Sequence, residues 1–240
     1  MRVIGVIPAR WASTRFEGKV LAAIKGKPMI QHVWERAGTS ESLDELVIAC
    51  DDERIVEAAE QFGAKAILTS SDHPSGTDRI AEAAQSLEGN IVVNIQGDEP
   101  LICPTIIDSL VNALKEDESC SMGTVIRVLI KKKELKDPNI VKVVIDGEMN
   151  AVYFSRSPIP YNRDVDEEIT YYKHIGIYAY RKNFLLSYKD LPKLNLEKAE
   201  QLEQLRALEY GYKIKTVITN ADTVGVDTPK DLERVEAILN

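Results

Sequence analysis

The feature that most constrains this chain is the alternation, through its first half, of short β-branched runs with helix-length amphipathic segments. Val3 to Ile7, Leu46 to Cys50, Lys65 to Thr69 and Asn90 to Ile95 read as strands. Asp52 to Phe62 (closed by Gly63), Thr77 to Leu87 and Pro104 to Lys115 read as helices. Strands joined by helices of this length imply right-handed crossovers and a mostly parallel sheet flanked by helices. The expected class is therefore α/β with a Rossmann-like sheet. Further along, Val141 to Ile145, the turn Asp146-Gly147 and Ala151 to Ser155 read as a hairpin. His174 to Tyr180 and Ile214 to Ile218 read as strands, and Pro229 to Leu239 as a last helix. Leu196 to Tyr210 reads as one amphipathic helix with Ala199, Leu202, Leu205 and Leu208 on its apolar stripe. No repeat or linker divides the 240 residues, so one domain is expected, with the hairpin region forming a smaller cap or dimerisation lobe at about 130–190.

Composition excludes several classes. A net charge of −8 argues against a nucleic-acid partner, although a few cations in one cleft can still set the potential for a small anion. Cys50, Cys103 and Cys120 are far apart, with neither zinc-ligand nor disulfide-framework spacing. Too few apolar residues precede Pro8 for a signal-peptide core, and no apolar run approaches the length of a membrane span. A cytosolic protein with no membrane partner is the expectation. Neither GxxxxGK[ST] nor GxGxxG occurs, which sets aside P-loop NTPases and dinucleotide dehydrogenases.

The chemistry-bearing residues gather after the strands. The loop after the first strand carries Arg10, Ser13, Thr14, Arg15, Gly18 and Lys19, and a second basic turn follows at Lys25 to Pro28. Cations, hydroxyls and small residues at the carboxyl end of a strand suit a polyanion such as a triphosphate. The run Asn90 to Ile95 ends in Gln96-Gly97-Asp98-Glu99-Pro100, where a carboxylate beside a glycine suits magnesium held jointly with a nucleotide; a plain turn explains the same residues. In Gly225-Val226-Asp227-Thr228-Pro229-Lys230-Asp231, Thr228 and Asp231 fit a helix cap, which leaves Asp227 without a structural role. Asp98 and Asp227 can meet only if both loops open on one edge of the sheet. The loop Ser71 to Arg79 is dense in groups able to read a base or a ribose, or is an ordinary loop ending in a Thr77 cap. The triplet Asp164-Val165-Asp166 lies in a charged run and reads as a solvated loop.

Taken together, PARWASTRFEGKVL, GKPMIQHV, DHPSGTDR, VNIQGDEP, YFSRSPIP, KHIGIYAYR, LEQLRALEYG and GVDTPKDLERV resemble the 3-deoxy-manno-octulosonate cytidylyltransferases, over residues 2–236. The resemblance implies a nucleotide-diphospho-sugar transferase fold and a reaction in which CTP and the acidic sugar Kdo give CMP-Kdo and pyrophosphate with Mg2+. It also implies a homodimer and a place in lipopolysaccharide assembly. Carried over residue by residue, it assigns Arg10, Ser13, Arg15 and Lys19 to the triphosphate, with Lys19, Asp98 and Arg15 as the catalytic group. His73, Ser75, Gly76, Thr77 and Arg79 would meet cytosine and ribose, helped by Pro8, Ala9 and Gln96. Asp98 and Asp227 would bind the metal, and Arg156, His174, Tyr178, Glu203 and Gln204 the sugar, with Arg156 on its carboxylate. A cytidylyltransferase for another acidic sugar, a non-catalytic nucleotide-binding protein and a glycosyltransferase of similar fold are the alternatives.

Overall fold

The computed structural model describes residues 1–12, 16–164, 168–221 and 224–239. Its strands, in chain order, are β1 (Val3–Ala9), β2 (Ala23–Ile24), β3 (Lys27–Pro28), β4 (Glu45–Cys50), β5 (Lys65–Leu68), β6 (Ile91–Asn94), β7 (Met122–Val128), β8 (Lys142–Ile145), β9 (Ala151–Ser155), β10 (Tyr172–Arg181) and β11 (Ile214–Ile218). The helices are α1 (Met29–Ala37), α2 (Glu53–Gln61), α3 (Gly76–Gln85), α4 (Pro104–Glu116), α5 (Lys182–Tyr188), α6 (Asn195–Glu200), α7 (Gln204–Glu209) and α8 (Pro229–Ile238). The main sheet has the order β11-β7-β10-β6-β1-β4-β5. β1 pairs in parallel with β4 and β6, β4 with β5, and β7 with β11. β10 runs antiparallel to both β6 and β7. The hairpin β8–β9 joins this sheet through β10.

Side-chain alternation along β1 explains why both faces are covered. Val3, Ile7 and Ala9 point into one core with Ile30 and Val33 of α1, Ile55 of α2 and Leu110 of α4. Ile4 and Val6 point into the other with Ile80 and Ala84 of α3 and Phe184 and Leu185 of α5. A strand buried on both faces reads as a continuous apolar run, which is how β1, β4 and β6 appear in the sequence. A third, small cluster packs Val235 of α8 and Val226 against Ile24 and Met29.

Two readings of the sequence need correction, and a third, the basic turn, is borne out with added detail. β7 was not anticipated, because Gly123 and Arg127 interrupt its apolar pattern; its centre is nonetheless fully buried between β10 and β11. The expected helix from Leu196 to Tyr210 is two short helices broken at Gln201, whose φ is 53°. The break lets Arg206 make a two-pronged ion pair with buried Glu197, both contacts at 2.6 Å, and it leaves Ala199 exposed. The basic turn Lys25 to Pro28 is a tight β2–β3 ribbon whose Lys27 pairs with Glu35 at 2.8 Å.

One glycine sets how closely the site elements approach. A Cβ on Gly97 would lie 2.7 Å from the backbone oxygen of Pro8, so the turn after β6 can lie against β1 only with glycine there. Gly97→Ala is expected to cost about 1–3 kcal/mol of stability in urea unfolding, the range for forced overpacking; an unchanged midpoint and slope would show that the turn relaxes freely.

Candidate active site

Because β1, β4, β5 and β6 run the same way, the segments that follow them open on one edge of the sheet. β11, parallel to β7, delivers the segment leading to α8 to that edge as well. A cleft of about 380 Å³ lies there, within the range of small-molecule sites. Pro8, Ala9, Arg10, Lys19 and Val20 line one wall, and His73, Pro74, Ser75, Gly76 and Arg79 the opposite one. Gln96, Gly97 and Asp98 follow β6, on the other side of β1, with Glu203 and Asp227 completing the lining.

The two separated carboxylates do meet. Lys19 Nζ lies 2.9 Å from Asp98 Oδ2 and 3.3 Å from Asp227 Oδ1. The loops themselves are joined, since the Val226 amide donates to the Asp98 carbonyl at 2.9 Å. Thr228 caps α8 and Asp231 returns the bond, so Asp227 is left to face Lys19. Lys19 is held in turn by Gly18, whose φ of 65° and closeness to Trp11 exclude a side chain. Glu99, next to Asp98, has one enclosed oxygen without a partner among the described residues. Burial, reinforced by the Asp98 charge, pushes its carboxyl up to about 7.

The base-side loop is tied more tightly than its sequence implies. Ser75, not Thr77, caps α3, with its hydroxyl accepting from the Asp78 amide and donating to the Asp78 carboxylate at 2.7 Å. Thr77 is buried inside the helix and donates to Glu203 Oε2 at 2.9 Å, so it does not line the cleft. His73 pairs with Glu82, and the imidazole holds that carboxyl below the usual range. Arg79 lines the cleft, but its guanidinium is bound inward to Asp51 Oδ2 at 2.8 Å and Thr69 Oγ1 at 2.6 Å. Gln96 Nε2 reaches across to the Gly176 carbonyl at 2.9 Å, where β10 departs from regular register.

Of the residues expected on the sugar, Glu203 lines the cleft, whereas His174, Tyr178 and Gln204 form a connected group outside that lining. The Tyr178 hydroxyl donates to Gln204 Oε1 at 3.2 Å, and the His174 and Tyr178 ring centroids are 5.4 Å apart. Gln204 is buried, with an amide nitrogen that has no partner among the described residues. Arg156 also lies outside that lining. Its nitrogens donate to the carbonyls of Glu200 (2.7 Å), Pro138 (2.9 Å) and Gln201 (3.5 Å), closing the end of α6 rather than reaching the cleft. Free carbonyls at a helix end need donors, and a guanidinium can supply several. Ser13 and Arg15 lie outside the described residues.

Asp51 is the residue that sequence reasoning missed. Asp52 caps α2 by accepting from the Arg54 amide at 3.0 Å, which leaves its neighbour without a capping role. Two consecutive aspartates after a strand, with one cap to fill, were the available signal.

This fold and cleft define a nucleotidyltransferase. The chain matches the family described as Cytidylyltransferase over residues 4–214. It is 53% identical over 238 residues to the 3-deoxy-manno-octulosonate cytidylyltransferase of Solibacter usitatus (strain Ellin6076), covering 99% of this chain and 94% of the relative. A solved CMP:2-keto-3-deoxy-manno-octonic acid synthetase complexed with CTP superposes with a TM-score of 0.96 at 45% identity, covering 100% of this chain and 98% of that one. The inositol-1-phosphate CTP transferase from T. maritima shares the fold at TM-score 0.71 and 17% identity, with 98% and 94% covered. The chain belongs to the 3-deoxy-manno-octulosonate cytidylyltransferase family.

His174 is expected to make stability depend on pH. Thr124 donates its hydroxyl to the Ile177 carbonyl at 2.9 Å and so accepts from His174 Nε2–H, also at 2.9 Å. Burial pushes the imidazole down to about 3. The unfolded chain, with an ordinary histidine, therefore binds a proton that the folded one refuses between about pH 6.5 and 3. Stability is gained as pH rises through that window and lost as it falls. Unfolding titrations are expected to show that His174→Gln removes up to about one proton from the slope; identical slopes would mean that the ring protonates freely in the fold.

Proposed function

We propose that this chain transfers CMP from CTP to the anomeric 2-hydroxyl of Kdo, releasing pyrophosphate. The observation that carries the reading is the convergence of Lys19, Asp98 and Asp227 at one end of a cleft lined by cations and backbone. The names of the relatives supply CTP and Kdo. Arg10 and Lys19 hold the triphosphate, together with Ser13 and Arg15 of the same loop. The wall from His73 to Gly76 receives cytosine and ribose, with Gln96 behind it and Arg79 holding the wall from below. Glu203, backed by Gln204, Tyr178 and His174, receives the sugar. The sugar oxygen forms a bond to the α-phosphorus as the bond from that phosphorus to the bridging oxygen breaks, and pyrophosphate carries the electron pair away. Lys19 counters the charge gathering on that leaving group, and most of the rate comes from positioning and preset charge.

The residues present fit magnesium. Two carboxylates that already hold one cation between them, beside a phosphate site, are the protein share that this ion takes when nucleotide supplies its other ligands. Asp98 and Asp227 would hold it, and when bound it polarises the phosphate and makes the attacking hydroxyl more acidic.

A cytoplasmic location, a homodimer and a role in lipopolysaccharide assembly belong to the same proposal. Among the described residues no helix is long and apolar enough to cross a membrane. Exposed Ile130, Val152 and Tyr161 lie in or beside the hairpin region, where a second copy could cover them.

Pyrophosphate release from CTP and Mg2+ tests the reaction. Release is expected with Kdo and not with a sialic acid or without sugar, and Asp98→Asn should lower it by about two orders of magnitude or more. Release with a sialic acid instead would change the sugar, and a fully active Asp98→Asn would remove the role of that carboxylate. Protein that binds CTP but releases nothing with any sugar would favour a non-catalytic role.

A further inference from the structure

The two walls of the cleft come from loops far apart in the chain; α3 packs on β1 beneath them, and one side chain, Asp51, bonds to a residue on each side. In the sheet, β4 lies between β1 and β5, so Asp51, just past its end, stands midway between the walls. Its Oδ1 accepts from the Trp11 amide at 2.8 Å, next to Arg10 of the triphosphate wall. Its Oδ2 accepts from Arg79 at 2.8 Å, beneath the base-side wall. The pair is nearly sealed from water, with side-chain exposures of 4% for Arg79 and 9% for Asp51. Neighbouring contacts stiffen it. Arg79 also binds Thr69 Oγ1, whose hydroxyl donates to the Cys50 carbonyl at 2.8 Å, and the Arg54 guanidinium lies 3.5 Å over the Trp11 ring.

We propose that Asp51 is a positioning residue that fixes the distance between the triphosphate wall and the base wall, so that one nucleotide can engage both at once. This rests on the reading that the cleft takes CTP. A ligand with two ends gains from the second contact only when the spacing of the subsites matches its own span, and that gain is lost when one subsite drifts although each still binds its own fragment. A rigid carboxylate with one oxygen on each wall sets that spacing. Asn has the same shape but a single acceptor oxygen, so it must release either Trp11 or Arg79. A lone buried guanidinium is costly, so Arg79 can face inward only because Asp51 meets it there.

The test compares CTP with its two halves. Dissociation constants for CTP, inorganic tripolyphosphate and cytidine, all with Mg2+, are measured by chemical-shift titration on the wild type and Asp51→Asn. CTP binding is expected to weaken about tenfold or more, because linkage between subsites carries at least that much. Tripolyphosphate and cytidine should each stay within about twofold, since neither subsite is itself dismantled. Unchanged CTP binding would overturn the proposal, and so would a parallel loss of all three, which marks general damage. If Asp51→Asn fails to fold, Asp51→Asn/Arg79→Gln, which leaves no unpaired charge buried, carries the same comparison. A loss confined to cytidine there would mean direct contact from Arg79 and would also overturn it. Wild-type protein that binds no CTP would sink the nucleotide reading itself, an outcome separate from these.

Discussion

The direction shared by β1, β4, β5, β6, β7 and β11 is the constraint on which the site depends. Parallel pairing needs long crossovers, and these return every chain segment to the same edge before it turns. The loops after β1, β5 and β6 therefore face one another, and the segment after β11 joins them from the far side. β10, the antiparallel member, sends its Gly176 carbonyl toward Gln96 and ties the second half of the chain to the floor of the cleft. Both faces of the sheet are buried, so water and ligand have access to this machinery only from the edge.

Charge in the cleft is arranged as preset pairs. Lys19 lies between Asp98 and Asp227, and Arg79 is held by Asp51. In a chain of net charge −8, these pairs fix where the cations stand without making the cleft positive: one ammonium faces two carboxylates, so a divalent cation on Asp98 and Asp227 would favour an incoming polyanion there. The pairs differ in what they can give up. Arg79 is enclosed and committed to the scaffold, whereas the Asp227 end of the Lys19 cluster is exposed and open to exchange. In the proposed reaction, phosphate takes the Lys19 ammonium, which leaves Asp98 and Asp227 as the residues that would hold a divalent cation; Lys19 otherwise keeps the two carboxylates from meeting unscreened.

Much of the fold was legible because strands buried on both faces write themselves as unbroken apolar runs. β1, β4 and β6 are of that kind. β7 was not, because its burial depends on neighbours on both sides rather than on its own pattern. The site was legible where a motif stands in one stretch of chain, as with Lys19, Asp98 and Asp227, although only the sheet direction brings these together. It was not legible where the role of a side chain is decided by what it faces. Arg79 and Arg156 look equally available in sequence, but one is held by Asp51 and the other caps the carbonyls of α6. Glu203, by default a solvent-facing helix residue, accepts from Thr77 because the helix breaks just before it.

A crystal structure with CTP and magnesium tests the central claim most directly, namely that the turns at this sheet edge form one nucleotide site organised by Lys19, Asp98 and Asp227. The account predicts the triphosphate against Arg10 and Lys19, cytosine against the wall from His73 to Gly76, and a divalent ion between Asp98 and Asp227 where Lys19 Nζ now lies. Nucleotide bound elsewhere, or bound here with Lys19 still bridging both carboxylates and no metal between them, would contradict it.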